Sequence, residues 1–133
     1  ILSKLRSVSK ILPESEEASD IVLNRMGRAL VATIQVNLTP SVIDRLQNQL
    51  LEKIRVDFAP FLILELSGLD MIDLDEFEQL KKMTTMAEIM GVKSIYSGLQ
   101  PAVVITLIQL NANVNELQTV LNLDEAFEMI RTA

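Results

Sequence analysis

The chain has 133 residues, 49% of them hydrophobic, with eighteen acids against twelve bases and a formal net charge of −6; a single domain of this size buries roughly two thirds of its unfolded surface and closes a core without staples. Histidine and cysteine are both absent, which removes the usual zinc sites, the Cys/His and Ser/His nucleophile pairs, and the one side chain that titrates near neutrality. The bases fall in ones and twos rather than in a stripe, so no nucleic-acid partner is expected, and no apolar run reaches the roughly 20 residues of a membrane span.

Residues 1–12 carry Ile1, Leu5, Val8 and Leu12 at helical spacing with Lys4, Arg6 and Lys10 between them, which predicts a short amphipathic helix stopped by Pro13. The same stretch lacks the continuous apolar middle and small-residue cleavage site of a secretory signal, which sets a cytoplasmic expectation. The acidic PESEEASD that follows reads as a solvated linker, so residues 1–20 are a helix and linker and residues 21–133 the domain. "IVLNRMGRALVATIQV" is two apolar runs around a turn at Gly27, hence two strands. Thr39 and Pro40 are an N-cap and a first-turn proline ahead of Ile43, Leu46, Leu50 and Ile54, an amphipathic helix of about four turns. Pro60 opens "FLILELSGL", whose unbroken apolar run suits a strand covered on both faces, as in parallel pairing.

A second helix is predicted from Leu74 to Met90, stopped by Gly91; "VKSIYSG" is a strand, and Pro101 opens the third helix, "PAVVITLIQL". The Asn-rich "NANVNEL" is a loop, followed by a short strand around Thr119–Leu121 and a last helix from Asp124 to Arg131. The order ββαβαβαβα is that of an α/β domain with a mixed, mostly parallel sheet flanked by helices.

The second helix opens with Asp70, Asp73, Asp75 and Glu76 within seven residues. Acids in a first turn face unpaired N–H groups and about half a positive charge, which stabilises the helix by roughly 0.3–1 kcal/mol each; charge alone accounts for Asp73, Asp75 and Glu76. Leu74 needs a separate account. At about 100° per residue, Phe77, Leu80, Met83, Met86, Ala87 and Met90 share the face that covers the sheet. Leu74 lies opposite, with Glu78, Lys81, Lys82, Thr85 and Ile89. Two aliphatic residues among charges are either ordinary exposed side chains or part of a surface for a partner. On the third helix, Val103, Val104, Ile105, Leu107, Ile108 and Leu110 cover an arc of about 220°, wider than the stripe of just over 100° that a sheet requires. Either neighbouring helices of the same domain cover the excess, or another subunit does.

Three separated stretches, "GRALVATIQVNLTPSVIDRLQNQLLEKI", "LILELSGLDMID" and "SGLQPAVVITLIQLNANVNELQTVLNLDEAFEMI", resemble STAS domains of the anti-sigma factor antagonist type, most closely the stressosome scaffold subunits of RsbS and RsbR type. The resemblance spans about residues 21–131 and implies the STAS fold. It also implies a regulatory serine or threonine directly after an aspartate, between the third strand and the second helix. The matching pair here is Asp73 and Leu74: the aspartate is kept and the phosphoacceptor position holds a hydrocarbon. A phosphate there would sit on a helix N-terminus and change partner binding through its charge; leucine takes no such modification. Asp75 would supply a fixed but weaker negative charge, and Ser97 falls where some R-type subunits carry a second modifiable hydroxyl, so it is a candidate phosphosite; alternatively it simply ends its strand before Gly98. The N-terminal helix hints at an R-type layout, while "TIQV" and "QPAVVITL" read closer to S-type.

The resemblance therefore implies a non-enzymatic signalling scaffold, without cofactor or metal. It would form homo- or hetero-oligomers with other STAS subunits through Val103, Ile105 and Leu107. It would bind a serine kinase or switch protein that controls a sigma factor through Leu74, Asp75, Glu78, Lys81, Lys82, Thr85 and Ile89. Two other readings stand beside it: a stand-alone anti-sigma factor antagonist acting as monomer or dimer, and a metal-dependent or acid/base enzyme built on Glu65, Asp70, Asp73 and Asp75.

Overall fold

The structure, a computed structural model, describes residues 21–133; the helix and linker expected over residues 1–20 lie outside the described residues. The two apolar runs around Gly27 form an antiparallel hairpin, β1 (Ile21–Met26) and β2 (Ala29–Ile34), with Ile21 opposite Ile34. The hydroxyl of Thr39 accepts from the Val42 amide and starts α1 (Pro40–Val56), whose buried stripe is Val42, Ile43, Leu46, Leu50 and Ile54. The apolar run after Pro60 is β3 (Phe61–Glu65), buried throughout. Then come α2 (Leu74–Ile89), β4 (Lys93–Ser97), α3 (Pro101–Gln109), the two-residue β5 (Thr119–Val120) and α4 (Leu123–Thr132).

The strands lie in the order β1-β2-β3-β4-β5, antiparallel between β1 and β2 and parallel thereafter. Alternation along β2 and β3 divides the core in two. Leu30, Ala32, Ile34, Leu62 and Leu64 face α1, α2 and α3, meeting Leu46, Leu50, Phe77, Leu80, Met83, Val103 and Leu107. Ala29, Val31, Phe61, Ile63 and Ile95 face the other way, where α4 covers them with Ala126 and Ile130. Both faces are therefore filled, which is why the runs are unbroken rather than alternating.

Two details differ from the helical projection. Thr84 joins Phe77, Leu80, Met83 and Ala87 in the buried stripe of α2, while Met86 is only half-buried: the Thr84 hydroxyl bonds Lys81 O and the Tyr96 hydroxyl, so its polarity is satisfied inside. Met90 is exposed because it is the C-cap, where the chain leaves helical geometry for Gly91 at φ 92°. At the other end of the chain, α4 begins at Leu123, one residue before the expected start, capped by the Asn122 side chain, which accepts from the Glu125 amide at 2.9 Å; Asp124 is a first-turn acid.

Candidate interaction surface

The Ser67–Ile72 loop leaves the C-terminal end of β3 and turns the chain into α2. Gly68 rests so close to β2 that a Cβ would sit 3.0 Å from Ile34 O, which pins the loop to the sheet. Asp73 is the N-cap: its carboxylate accepts from the Glu76 amide at 2.7 Å, and the Glu76 carboxylate accepts from the Asp73 amide at 2.9 Å. This is a reciprocal capping box, legible in the sequence as an acid followed three residues later by glutamate. Two of the four clustered acids thus have a local task, and Asp75 and Asp70 remain exposed.

Leu74 is the first residue of α2 and 38% exposed, and Ile89 at the far end is 81% exposed. Asp75, Glu78, Lys82 and Thr85 lie exposed between them, while Lys81 is half-buried. Lys81 is partly committed within the domain: its Nζ donates to Asn113 O at 3.1 Å and lies 5.7 Å from the Phe77 ring centre. Glu78, Lys81, Lys82, Thr85 and Met86 line a shallow concavity on this outer side. Met71, three residues before Leu74 in the preceding loop, is 63% exposed; a loop methionine carries no periodic signal in the sequence.

The residues expected for self-association separate. Ile105 and Ile108 are 54% and 59% exposed, and Leu110 is also exposed, so among the described residues no neighbouring helix covers that side of α3. Val103 and Leu107, however, are fully buried against the domain's own core. Their expected role as contact residues is corrected: they occupy the stripe that α3 must give to the sheet.

Ser97 is also corrected. It is 0% exposed, and its hydroxyl donates to Glu65 Oε2 at 3.1 Å, so it is an internal partner rather than a phosphosite open to a kinase. Glu65 is paired with Ser97 in the β3–β4 register, and its other oxygen accepts from the Ser67 amide at 2.8 Å. Gly98, at φ 76°, is held beside them: a Cβ there would lie 2.8 Å from Glu65 Oε1. The carboxylates weighed as an enzyme centre are dispersed by these tasks, Glu65 inside, Asp73 on the cap, Asp70 and Asp75 in solvent. Among the described residues no group of three or more acids comes together to hold a metal ion, and no helix is long and apolar enough to cross a membrane.

No family model matches the chain. It is 34% identical over 67 residues to the uncharacterised protein YezB of Bacillus subtilis (strain 168), an alignment covering 50% of this chain and 68% of that protein. Among solved structures, an RsbS variant of Moorella thermoacetica superposes with a TM-score of 0.72 at 23% identity, over 84% of this chain and 95% of that one. A chain from the structure of the stressosome, described as a signal integration and transduction hub, gives 0.67 at 21% identity, over 84% and 96%. The unphosphorylated anti-sigma factor antagonist SpoIIAA gives 0.63 at 15%, over 85% and 97%. These likenesses establish the STAS fold, whose mixed five-stranded sheet is the one described above.

Proposed function

Because the chain belongs to the family of Bacillus subtilis YezB and folds as a STAS domain, we propose that it is a non-enzymatic signalling scaffold. It joins other STAS subunits in a stress-response assembly and holds a serine kinase or switch protein that controls a sigma factor. The observation that carries this reading is the outer surface of α2, where Leu74 and Ile89 stay exposed at either end of a charged, shallowly concave strip. Apolar anchors of this kind supply affinity, and the charges between them set orientation and on-rate.

Leu74 occupies the position that matches the regulatory hydroxyl of the family, directly after the capping Asp73. The subunit is therefore fixed in the unmodified state at this position, and its partner is retained or released by changes elsewhere in the assembly. Self-association uses Ile105, Ile108 and Leu110, the uncovered side of α3.

A second reading, a stand-alone anti-sigma factor antagonist working as monomer or dimer, is favoured by the size of that side: α3 has nine residues, enough for one subunit contact. Sedimentation of the purified chain, alone and with other STAS subunits, separates the two. Megadalton particles support the scaffold, and species no larger than a dimer under every mixture favour the antagonist. For the α2 surface, Leu74→Glu is expected to weaken capture of a stressosome-type serine kinase in a pull-down by at least tenfold, and Leu74→Ser to create a substrate for it. Undiminished capture by Leu74→Glu counts against this surface.

A further inference from the structure

Gln100 stands directly before α3 as its N-cap, yet among the described residues its side chain makes no cap hydrogen bond to that helix. A nine-residue helix with such a start is weakly held by its own backbone. The side chain reaches across to the loop before α2 instead: Gln100 Nε2 donates to Ser67 O at 2.6 Å, 33 residues away in the chain. Ser67 N donates to Glu65 Oε1 at 2.8 Å, so side chains hold both backbone polar groups of this one residue. Glu65 is itself fixed. It is only 9% exposed, and its other oxygen accepts from Ser97 Oγ at 3.1 Å; a buried carboxylate stripped of its donors is costly. Ser97 O in turn accepts from Leu66 N at 2.8 Å.

The ends of β3 and β4 and the start of α3 therefore converge on Ser67, and they do so without slack. A Cβ on Gly98, in the β4–α3 turn, would lie 3.1 Å from Ser67 Cβ and 3.2 Å from Ser67 N. A Cβ on Gly68 would lie 3.0 Å from Ile34 O and 3.2 Å from Gln35 Cα. Ser67 and Gly68 are thus gripped between the β4–α3 turn and the end of β2. From this grip the chain runs through buried Leu69, whose amide donates to Leu66 O at 3.0 Å, and buried Ile72 to the capping Asp73 and to Leu74. Where Ser67 is held decides where α2 begins.

We propose that Gln100 is a positioning residue that latches α3 to the loop presenting Leu74, so that the outer surfaces of α2 and α3 are positively coupled. A second copy covering Ile105 and Ile108 steadies α3, keeps Gln100 on Ser67 and holds the first turn of α2 ready for its partner. By reciprocity, a partner on α2 steadies α3 for the second copy. The link to docking rests on the function proposed above; the latch itself does not.

The test follows native-state amide exchange in the full chain, isotopically labelled and dilute. Gln100→Met keeps the length of the side chain and removes its donor. It should speed exchange at Ser67 and Leu69 at least fivefold, while Ile63 and Ile95, in the strands, exchange as in the parent. Gln100→Lys, which restores a donor, should bring both loop amides back to within about twofold of the parent, a rescue that a packing role alone would not give. At concentrations where sedimentation shows copies associating, the same two amides should slow at least threefold in the parent and stay unchanged in Gln100→Met. The proposal is overturned if Gln100→Met leaves Ser67 and Leu69 as they were, if the strands speed up with them, if Gln100→Lys fails to restore them, or if association leaves the parent's loop unaffected. A chain that never associates defeats the self-association proposed above, and the comparison of Gln100→Met with Gln100→Lys still decides the latch.

Discussion

Replacing Asp73 by alanine removes the acceptor for the Glu76 amide and frees the Glu76 side chain that bonds back to it. Loss of such a cap costs about 1 kcal/mol, and denaturant unfolding should show a reduction of that order, while Asp75→Ala, at an exposed first-turn position, should cost less. Tyr96 offers a pH readout, because it is the chain's one tyrosine. Burial, more than the Glu88 charge, pushes its phenol up to about 12, with the Thr84 hydrogen bond acting in the opposite sense. The fold thus binds this proton more tightly than the unfolded chain does. Its contribution is fully present below the ordinary tyrosine value of about 10 and is lost as pH rises through the folded value, a loss of about 2–3 kcal/mol by linkage. Ultraviolet titration of the native protein should show no phenolate near pH 10, and Tyr96→Phe should flatten the alkaline decline in stability.

At the scale of elements, α3 divides one run of apolar residues between two destinations. Val103 and Leu107 belong to the core, so Leu107→Ala should destabilise the domain by about 2–5 kcal/mol. Ile105→Glu with Ile108→Glu should leave the monomer's stability nearly unchanged and shift its sedimentation toward smaller species. The sequence revealed that this helix is too apolar for one sheet, but not which residues are in excess; projection gives an arc, and the direction of the sheet must be added before the arc divides. The same limit explains Ser97. Its strand was legible from "VKSIYSG", yet that its hydroxyl faces a carboxylate follows from the Glu65–Ser97 register, which no local pattern encodes. By contrast, the hairpin, the proline-led helices and the order of elements were legible, because turn glycines, Thr39–Pro40 and Pro101 carry their meaning locally. Met90 escaped the projection because the helix had already ended there.

For the whole molecule, net charge and architecture act in different ways. At −6, copies repel one another at long range, and salt screens that repulsion without weakening apolar contacts. The self-association proposed for α3 should therefore strengthen as salt is raised, and sedimentation at low and high ionic strength checks it; weaker association in high salt would point to a charge-paired contact instead. The sheet, finally, is clothed unevenly. Among the described residues three helices shield one side, and the opposite side is covered by α4, with Ala126 and Ile130 seated on Ala29, Val31, Phe61, Ile63 and Ile95. Since α4 is the last of these elements to emerge during synthesis, a greasy half of the nascent domain stays bare until translation has passed it. A partner that shelters this side in the meantime, whether a chaperone or a sister subunit, would decide how much of the chain matures and how much aggregates.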